Sequence, residues 1–243
     1  MKLVDALTLA LRDWDARYVF GVSGANIEHV HDAIHRLGDD RLTAVMAKSE
    51  VGAAFMADCR ARVHRTLGVC CATSGGGMMN LAVGLAESYA ESVPVLAIVG
   101  QVPTALEGRG GFQDSSGVGR TVDAHALFRA MTKYVARLGP GVSFWETLRE
   151  AVASALSGRQ GPAVLLVPRD AYELDVGPRP EGWPASLDAL RVAKVAPERD
   201  VRALFDALRD ARRPVLVLGP GATRSLDADA VRSFATHARV PVV

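Results

Sequence analysis

Short apolar runs and helix-period patterns alternate along most of the chain. The apolar runs predict strands at 18–22, 42–46, 66–72, 94–99, 134–138 and 163–167. Between them, apolar residues recur every three or four positions, as on one face of a helix, at 3–14, 26–37, 50–57, 78–89, 124–128 and 142–156. The run at 66–72 is apolar almost throughout, which is typical of a strand covered on both faces. The alternation predicts an α/β fold, a doubly wound parallel sheet with helices on both faces.

The pattern weakens after residue 168, where prolines become frequent. We predict a first domain over 1–175, a linker over 176–196, and the beginning of a second α/β domain over 197–243. That second domain is expected to have helices at 198–210 and 226–237 and strands at 214–218 and 240–243. Two strands do not make an independent α/β domain, so we expect it to be incomplete: either a fragment, or a tail that packs on something else.

Composition and charge narrow the classes of function. The formal net charge is +1, which gives no electrostatic reason to expect nucleic acid or an anionic membrane as a partner. Three cysteines make neither a disulfide framework nor a spaced metal site, and Cys70 and Cys71 are predicted to be small core residues. The first residues resemble an amphipathic helix and not a signal peptide, and no apolar run is long enough to span a bilayer. We therefore expect a cytoplasmic protein.

One acidic side chain, Glu50, begins a helix with unusually little bulk. Gly52, Ala53, Ala54 and Ala57 follow it, so another backbone or a flat ring could approach that helix closely. An acid at a helix start either interacts with the helix dipole or is held there for chemistry. By itself the stretch favours the first interpretation, because acids in the first turn of a helix are common.

Three loops that follow predicted strands favour the chemical interpretation. They lie at 22–26, at 73–77 and after Val99, where 101–122 form a long glycine-rich segment that we expect to be functional or mobile. Asn26 is also a candidate cap for the helix that follows it. In a doubly wound sheet, the loops past the carboxyl ends of the strands converge on a crevice where ligands bind. Glu50 reaches the same edge, so the sequence predicts one site there.

Several motifs, in order along the chain, resemble thiamine-diphosphate-dependent enzymes of the acetolactate synthase and 2-oxo acid decarboxylase family. Residues 73–81, Thr-Ser-Gly-Gly-Gly-Met-Met-Asn-Leu, are similar to the family's Thr-Ser-Gly-Pro-Gly…Asn segment, and 92–103 look like the strand that follows it. Residues 111–114, Gly-Phe-Gln-Asp, are similar to its Ala-Phe-Gln-Glu motif, and 127–134 resemble its Phe-Arg-Pro-Ile-Thr-Lys element. The Glu50 helix resembles the helix with the catalytic glutamate, and 213–221 look like the start of the central domain.

The resemblance implies an enzyme that decarboxylates a 2-oxo acid and carries out carboligation. This chain would carry the half of that enzyme that activates the aminopyrimidine ring of the cofactor. Glu50 would hydrogen-bond that ring and promote proton removal from the thiazolium carbon of the cofactor. The residues implied to line the pyrimidine pocket are Ser23, Gly24, Ala25, Asn26, Glu50, Thr73, Ser74, Gly76 and Asn80. Phe112 and Gln113 would act at the reacting carbon, and a second copy of the chain is the implied partner, since the family builds each site between two chains.

Departures from the family pattern limit what the resemblance implies. The family usually has Pro where Ser23 and Gly76 stand, and commonly His where Ser49 stands. The paired histidines of simple decarboxylases are absent near Phe112, and the loop over 114–126 is longer than usual for acetolactate synthases. Together these departures point to a relative with a different acceptor or 2-oxo acid, such as a specialised carboligase. Nothing resembles the Gly-Asp-Gly…Asn element that holds Mg²⁺ and the diphosphate. We expect a domain or subunit outside this chain to supply it, and we expect the chain alone to be inactive.

Two alternatives stay open. Gly219-Pro-Gly221 follows a predicted strand, as in a dinucleotide-binding turn, but the third glycine of that fingerprint is replaced by Arg224. The first alternative is that the chain is a dinucleotide-binding subunit of an oxidoreductase complex. The second is that it is a non-catalytic subunit kept for assembly. Within the resemblance, central domains of this type sometimes bind FAD, and 197–243 do not decide whether this one does.

Overall fold

The computed structural model describes residues 1–192, 195–225 and 227–243. They divide into two compact units, Met1–Val192 and Ala193–Val243. The elements of the first unit are α1 (Leu3–Asp13), β1 (Arg17–Gly21), α2 (Glu28–Leu37), β2 (Leu42–Met46), α3 (Glu50–His64), β3 (Gly68–Ala72), α4 (Gly76–Ala90), β4 (Val95–Gln101), α5 (Ala124–Arg129), β5 (Tyr134–Arg137), α6 (Phe144–Leu156) and β6 (Ala163–Pro168).

The six strands of the first unit form one parallel sheet in the order β2-β1-β3-β4-β6-β5. The predicted doubly wound parallel sheet is confirmed. The chain moves outward from β1 to β2 and then returns to place β3 on the other side of β1. This reversal leaves a crevice at the carboxyl ends of β1 and β3, where doubly wound folds bind their ligands.

Each face of the sheet carries its own apolar core. Buried residues of α1, α2 and α6 pack on one face, and those of α3, α4 and α5 pack on the other. Neighbouring residues of β3 serve opposite cores: Cys71 lies in the first and Cys70 in the second, as predicted for small core residues. Burial raises the pKa of the Cys71 thiol to about 12 and that of Cys70 further. Cys59, by contrast, is exposed.

Small residues let α3 lie close against both α4 and β3. A Cβ on Gly84 of α4 would be 2.5 Å from the Cβ of Ala54, and a Cβ on Gly68 would be 2.1 Å from the carbonyl oxygen of Ala57. Both distances are far below van der Waals contact, so larger side chains there would push the elements apart. The low bulk that the sequence shows after Glu50 thus serves helix packing.

The first unit continues through residues predicted to be linker. The Trp183 ring stacks on Trp14 with 5.3 Å between ring centroids, and the Trp14 indole N–H donates to the carbonyl of Pro184 at 2.8 Å. Leu187 and Leu190 are buried in the same core. Residues 176–192 therefore cover α1 and α6. The prolines suggested a linker, but apolar side chains between them pack against these helices.

The second unit contains α7 (Glu198–Asp210), α8 (Pro220–Ser225) and α9 (Ala228–Ala238). The strands predicted at 214–218 and 240–243 are not formed, and a single parallel bridge between Leu216 and Val242 marks their place. Val215 and Val217 are exposed, because no third strand pairs with these segments among the described residues. None of the helices in the described part of the chain is long and apolar enough to cross a membrane.

Candidate functional site

Asn26 joins the loops at the carboxyl edge of the sheet. Its backbone N–H donates to Thr73 Oγ1 at 3.3 Å, and its side-chain Nδ2 donates to Ser74 Oγ at 2.8 Å. Its carbonyl oxygen lies so close to Gly100 that a Cβ there would be only 1.8 Å away. The residue is buried, and Ile27 occupies the N-cap of α2. The prediction that Asn26 caps that helix is therefore wrong, since its amide is already bonded to Ser74.

The remaining residues of the loop after β1 differ in exposure. Gly24 packs on Thr73, where a Cβ would be 2.8 Å from the Thr73 Cβ, whereas Ser23 and Ala25 are exposed. Thr73 and Ser74 are buried. Of the residues predicted to line a pocket, Asn26, Thr73 and Ser74 thus hold the loops together, and the exposed ones lie at the rim.

Glu50 is not needed to cap α3. Ser49, the residue before it, accepts a hydrogen bond from the Gly52 backbone N–H at 3.2 Å and is the N-cap. The Glu50 carboxylate instead reaches α4, where its Oε2 accepts a hydrogen bond from Asn80 Nδ2 at 2.9 Å. Glu50 is half-buried. Glu50 still lies in the first turn of α3, so its carboxylate is placed to interact with the helix dipole as well as with Asn80.

The absence of a side chain at Gly77 lets the Glu50 carboxylate and Thr73 pack closely against the start of α4. A Cβ at Gly77 would be 3.2 Å from Glu50 Oε1 and 3.0 Å from Thr73 Cγ2, while a Cβ at Gly76 would meet nothing within 4 Å. Oε1 accepts no hydrogen bond from the described residues. A flat, hydrogen-bonding ring fits beside Gly76, because the space there is open and Glu50 Oε1 is left without a partner among the described residues. Gly77 is not among the residues predicted for the site; its signal in the sequence is a third consecutive glycine at the start of a helix, where lack of bulk has a cost unless it serves packing or binding.

The long segment after β4 is tied down by polar contacts. Ser115 Oγ donates to Gln101 Oε1 at 2.8 Å in a buried position, and the Asp114 carboxylate accepts from the N–H groups of Gly108 and Ser116 at 2.7 and 2.9 Å. These bonds fix the segment from within.

The contact between Gly75 and Gln113 brings this segment to the glycine turn. Gly75 has φ +62°, and a Cβ there would be 2.8 Å from the Gln113 Cβ. Gln113 itself has φ +63°, a left-handed conformation that is uncommon outside glycine. The Phe112 side chain beside it is 82% exposed. The structure thus brings Gln113 next to the turn that precedes α4 and leaves the Phe112 ring on the surface.

Gly76→Pro is expected to stabilise the protein. Gly76 is the first residue of α4, a position where proline is favoured because the N–H there has no helical partner. The space around it is open. Proline restricts the conformations of the unfolded chain, and this restriction should raise the free energy of unfolding by about 0.4–1 kcal/mol. Thermal unfolding followed by circular dichroism checks this; Gly77→Ala, which crowds Glu50 and Thr73, is the control expected to lose stability, and a lower midpoint for Gly76→Pro would contradict the prediction.

Within the described ranges, no group of three His, Cys, Asp or Glu side chains is placed to hold a metal ion.

Comparisons with known proteins identify the family of the first part of the chain. The family model described as the thiamine pyrophosphate enzyme, N-terminal TPP binding domain, matches residues 1–119, which include Glu50 and the glycine turn. Thiamine pyrophosphate is another name for thiamine diphosphate.

Curated relatives match over nearly the whole chain. A probable acetolactate synthase large subunit of Methanocaldococcus jannaschii is 31% identical over 244 residues, 100% of this chain and 40% of the relative. The acetolactate synthase of Mycobacterium leprae is 32% identical over 96% of this chain and 36% of the relative. The acetolactate synthase isozyme 3 large subunit of Escherichia coli is 29% identical over 100% of this chain and 42% of the relative. The chain therefore spans about two fifths of the length of these relatives.

The family resemblance seen in the motifs is confirmed by these matches. The chain belongs to the thiamine-diphosphate-dependent enzymes of the acetolactate synthase family.

Proposed function

We propose that this chain provides the aminopyrimidine-activating half of an enzyme that decarboxylates a 2-oxo acid and joins the remaining fragment to a second carbonyl compound. The observation that carries the proposal is the Glu50 carboxylate, held by Asn80 on one side and bordered by Gly77 on the other. The family membership supports it, since the curated relatives are acetolactate synthases.

In this proposal, Glu50 exchanges a proton with a ring nitrogen of the cofactor. When bound, thiamine diphosphate supplies the electron sink on which decarboxylation depends. The Glu50 carboxylate would hydrogen-bond the pyrimidine ring through the oxygen beside Gly77 and hold a proton at that nitrogen. A general acid–base group must lie within hydrogen-bond reach of the proton it exchanges, and the open space at Gly76 would allow a flat ring to approach Glu50.

The other predicted pocket residues divide into two roles. Ser23, Gly24, Ala25 and Gly76 would line the pyrimidine pocket, because they lie at its rim or leave it free of bulk. The buried residues Asn26, Thr73 and Ser74 would support it by joining the strand-end loops. Gln113, which packs on Gly75, would face the reacting carbon together with Phe112.

A second copy of the chain is the proposed partner. The helix that begins at Glu50, α3, and its neighbour α4 carry large apolar side chains that are exposed in the single chain: Phe55, Met56, Val63, Met79 and Val83. Exposed apolar surface of this kind on two adjacent helices is typical of an interface. Pairing two such faces would bury them and bring the Glu50 sites of both copies to the seam.

Several finer assignments complete the proposal. We expect Mg²⁺ and the diphosphate to be bound by a domain or subunit outside this chain, and we assign no residue here to Mg²⁺ or to FAD. The cytoplasm remains the predicted compartment. The 2-oxo acid and the acceptor are left unnamed, because no residue of this chain is shown to contact them.

The proposal is tested with the purified native protein. A panel of 2-oxo acids is supplied with thiamine diphosphate and Mg²⁺, and release of CO₂ and formation of a new carbon–carbon bond are measured. Both should require thiamine diphosphate and at least one member of the panel. A folded protein that binds the cofactor yet releases no CO₂ from any 2-oxo acid would contradict the proposed activity.

A further inference from the structure

We infer that Asn80 is a positioning residue that selects which oxygen of Glu50 meets the cofactor; this inference rests on the proposed function. Asn80 lies in the second turn of α4 and Glu50 at the start of α3. The only hydrogen bond that the Glu50 side chain makes among the described residues is the one from Asn80 Nδ2 to Oε2, 2.9 Å long.

The two carboxylate oxygens of Glu50 are in different surroundings. Oε2 is engaged by the amide of Asn80, whereas Oε1 lies on the side of Gly77, where an added Cβ would be 3.2 Å away. The amide thus directs the unengaged oxygen toward the glycine turn. A glutamate side chain has several rotatable bonds, and fixing them in advance removes an entropic cost from ring binding.

An amide suits this task because it is neutral. A lysine or arginine at this position would form an ion pair with Glu50 and compete with the ring for the carboxylate. A second carboxylate would repel it. Asparagine donates one hydrogen bond without changing the net charge of the pair, so the Glu50 charge stays available for the ring.

The close packing of α3 and α4 brings Asn80 within hydrogen-bonding distance of Glu50. Gly84 and Ala54 meet at a distance that admits no larger side chain. This packing also raises a purely structural alternative, in which the Asn80–Glu50 bond only ties two helices together. Another bond between the same helices provides a matched control, since the Ser88 hydroxyl donates to the buried Asp58 carboxylate at 2.8 Å and touches nothing at Glu50.

The experiment compares Asn80→Leu with Ser88→Ala in the native protein. The first readout is exchange of the thiazolium C2 proton of bound thiamine diphosphate for deuterium, measured by acid quench and proton NMR. We expect Asn80→Leu to slow exchange about 10–100-fold, because small displacements of a reacting group cost that much, and Ser88→Ala to leave it unchanged. Asn80→Gln, which keeps an amide donor, should recover part of the rate, and Asn80→Asp should be at least as slow as Asn80→Leu.

The second readout needs no cofactor. Crystal structures of the cofactor-free protein should show one Glu50 rotamer in the wild type and in Ser88→Ala, and several in Asn80→Leu. If Asn80→Leu does not fold, Asn80→Gln and Asn80→Asp decide the question by the same two measurements.

The outcomes separate this inference from the proposed function. Loss of C2 exchange in Glu50→Gln together with wild-type exchange in the folded Asn80 variants would overturn the role of Asn80 alone. Wild-type exchange in Glu50→Gln would overturn the proposed role of Glu50. Equal slowing in Asn80→Leu and Ser88→Ala would show that helix packing is responsible and would also refute the positioning role.

Discussion

Glu50→Gln is expected to lower kcat of the native protein by about 10²–10⁴-fold, the usual contribution of a general acid–base group. The amide has the shape of the carboxylate but cannot take and return a proton at the ring nitrogen. The start of α3 should stay intact, because Ser49 and not Glu50 caps that helix. Steady-state kinetics with saturating thiamine diphosphate measure the effect, and circular dichroism confirms the fold.

A matched control is available at the start of α2. Glu28 is the first residue of that helix, as Glu50 is of α3, and it forms an exposed ion pair with Arg169 at 2.5 Å. Exposed pairs of this kind contribute about 0–1 kcal/mol to stability, so Glu28→Gln should change neither kcat nor the fold appreciably. A Glu50→Gln variant as active as Glu28→Gln would remove Glu50 from the proposed chemistry.

The sheet and its helices could be predicted from the sequence because burial imposes a pattern on every element. The strand ending at Ala72 is buried on both faces and is therefore almost wholly apolar, and α1 shows its buried stripe in the spacing of Leu3, Leu7 and Leu11. The position of Glu50 at the carboxyl edge followed from the rule that strand-end loops converge there.

Partners of individual polar side chains could not be predicted in the same way. Asparagine is a common N-cap residue, so the sequence predicted that Asn26 caps α2. It hydrogen-bonds Thr73 and Ser74 and does not cap the helix, because the pairing of β1 with β3 brings those two residues close to it. The bond from Asn80 to Glu50 likewise depends on how closely two helices pack, which no spacing in the sequence records. The prolines of 176–192 suggested a linker, although Trp183 stacks on Trp14 in the core.

The failure of the predicted strands in the second unit has a different cause. The segments around Leu216 and Val242 have strand-like composition, but a β-strand is stabilised by pairing and by burial of its side chains. Here they form one bridge, and Val217 is exposed. The strand propensity of these two segments therefore did not lead to strands, because no further strand among the described residues pairs with them.

Val83→Arg is expected to separate the proposed pair of chains and abolish activity, since each site would lose its partner. Val83 is 56% exposed on α4, on the apolar face next to Glu50. In a two-fold interface the substitution places two arginines at the seam, and an unpaired buried charge costs about 3–5 kcal/mol. The dissociation constant of the pair should therefore rise by about 100-fold or more. Light scattering after gel filtration measures the molar mass.

The exposed thiol on α3 provides an independent test of the same prediction, because Cys59 lies on the same outward face as Phe55 and Val63. A thiol reagent should modify Cys59 slowly in the wild type and rapidly in Val83→Arg, while the buried Cys70 and Cys71 stay unmodified in both. Val142→Arg places the same charge at an exposed valine before α6 and should change neither molar mass nor labelling. If Val83→Arg kept the wild-type mass and slow labelling, the α3–α4 face could not be the seam at which Glu50 meets its cofactor.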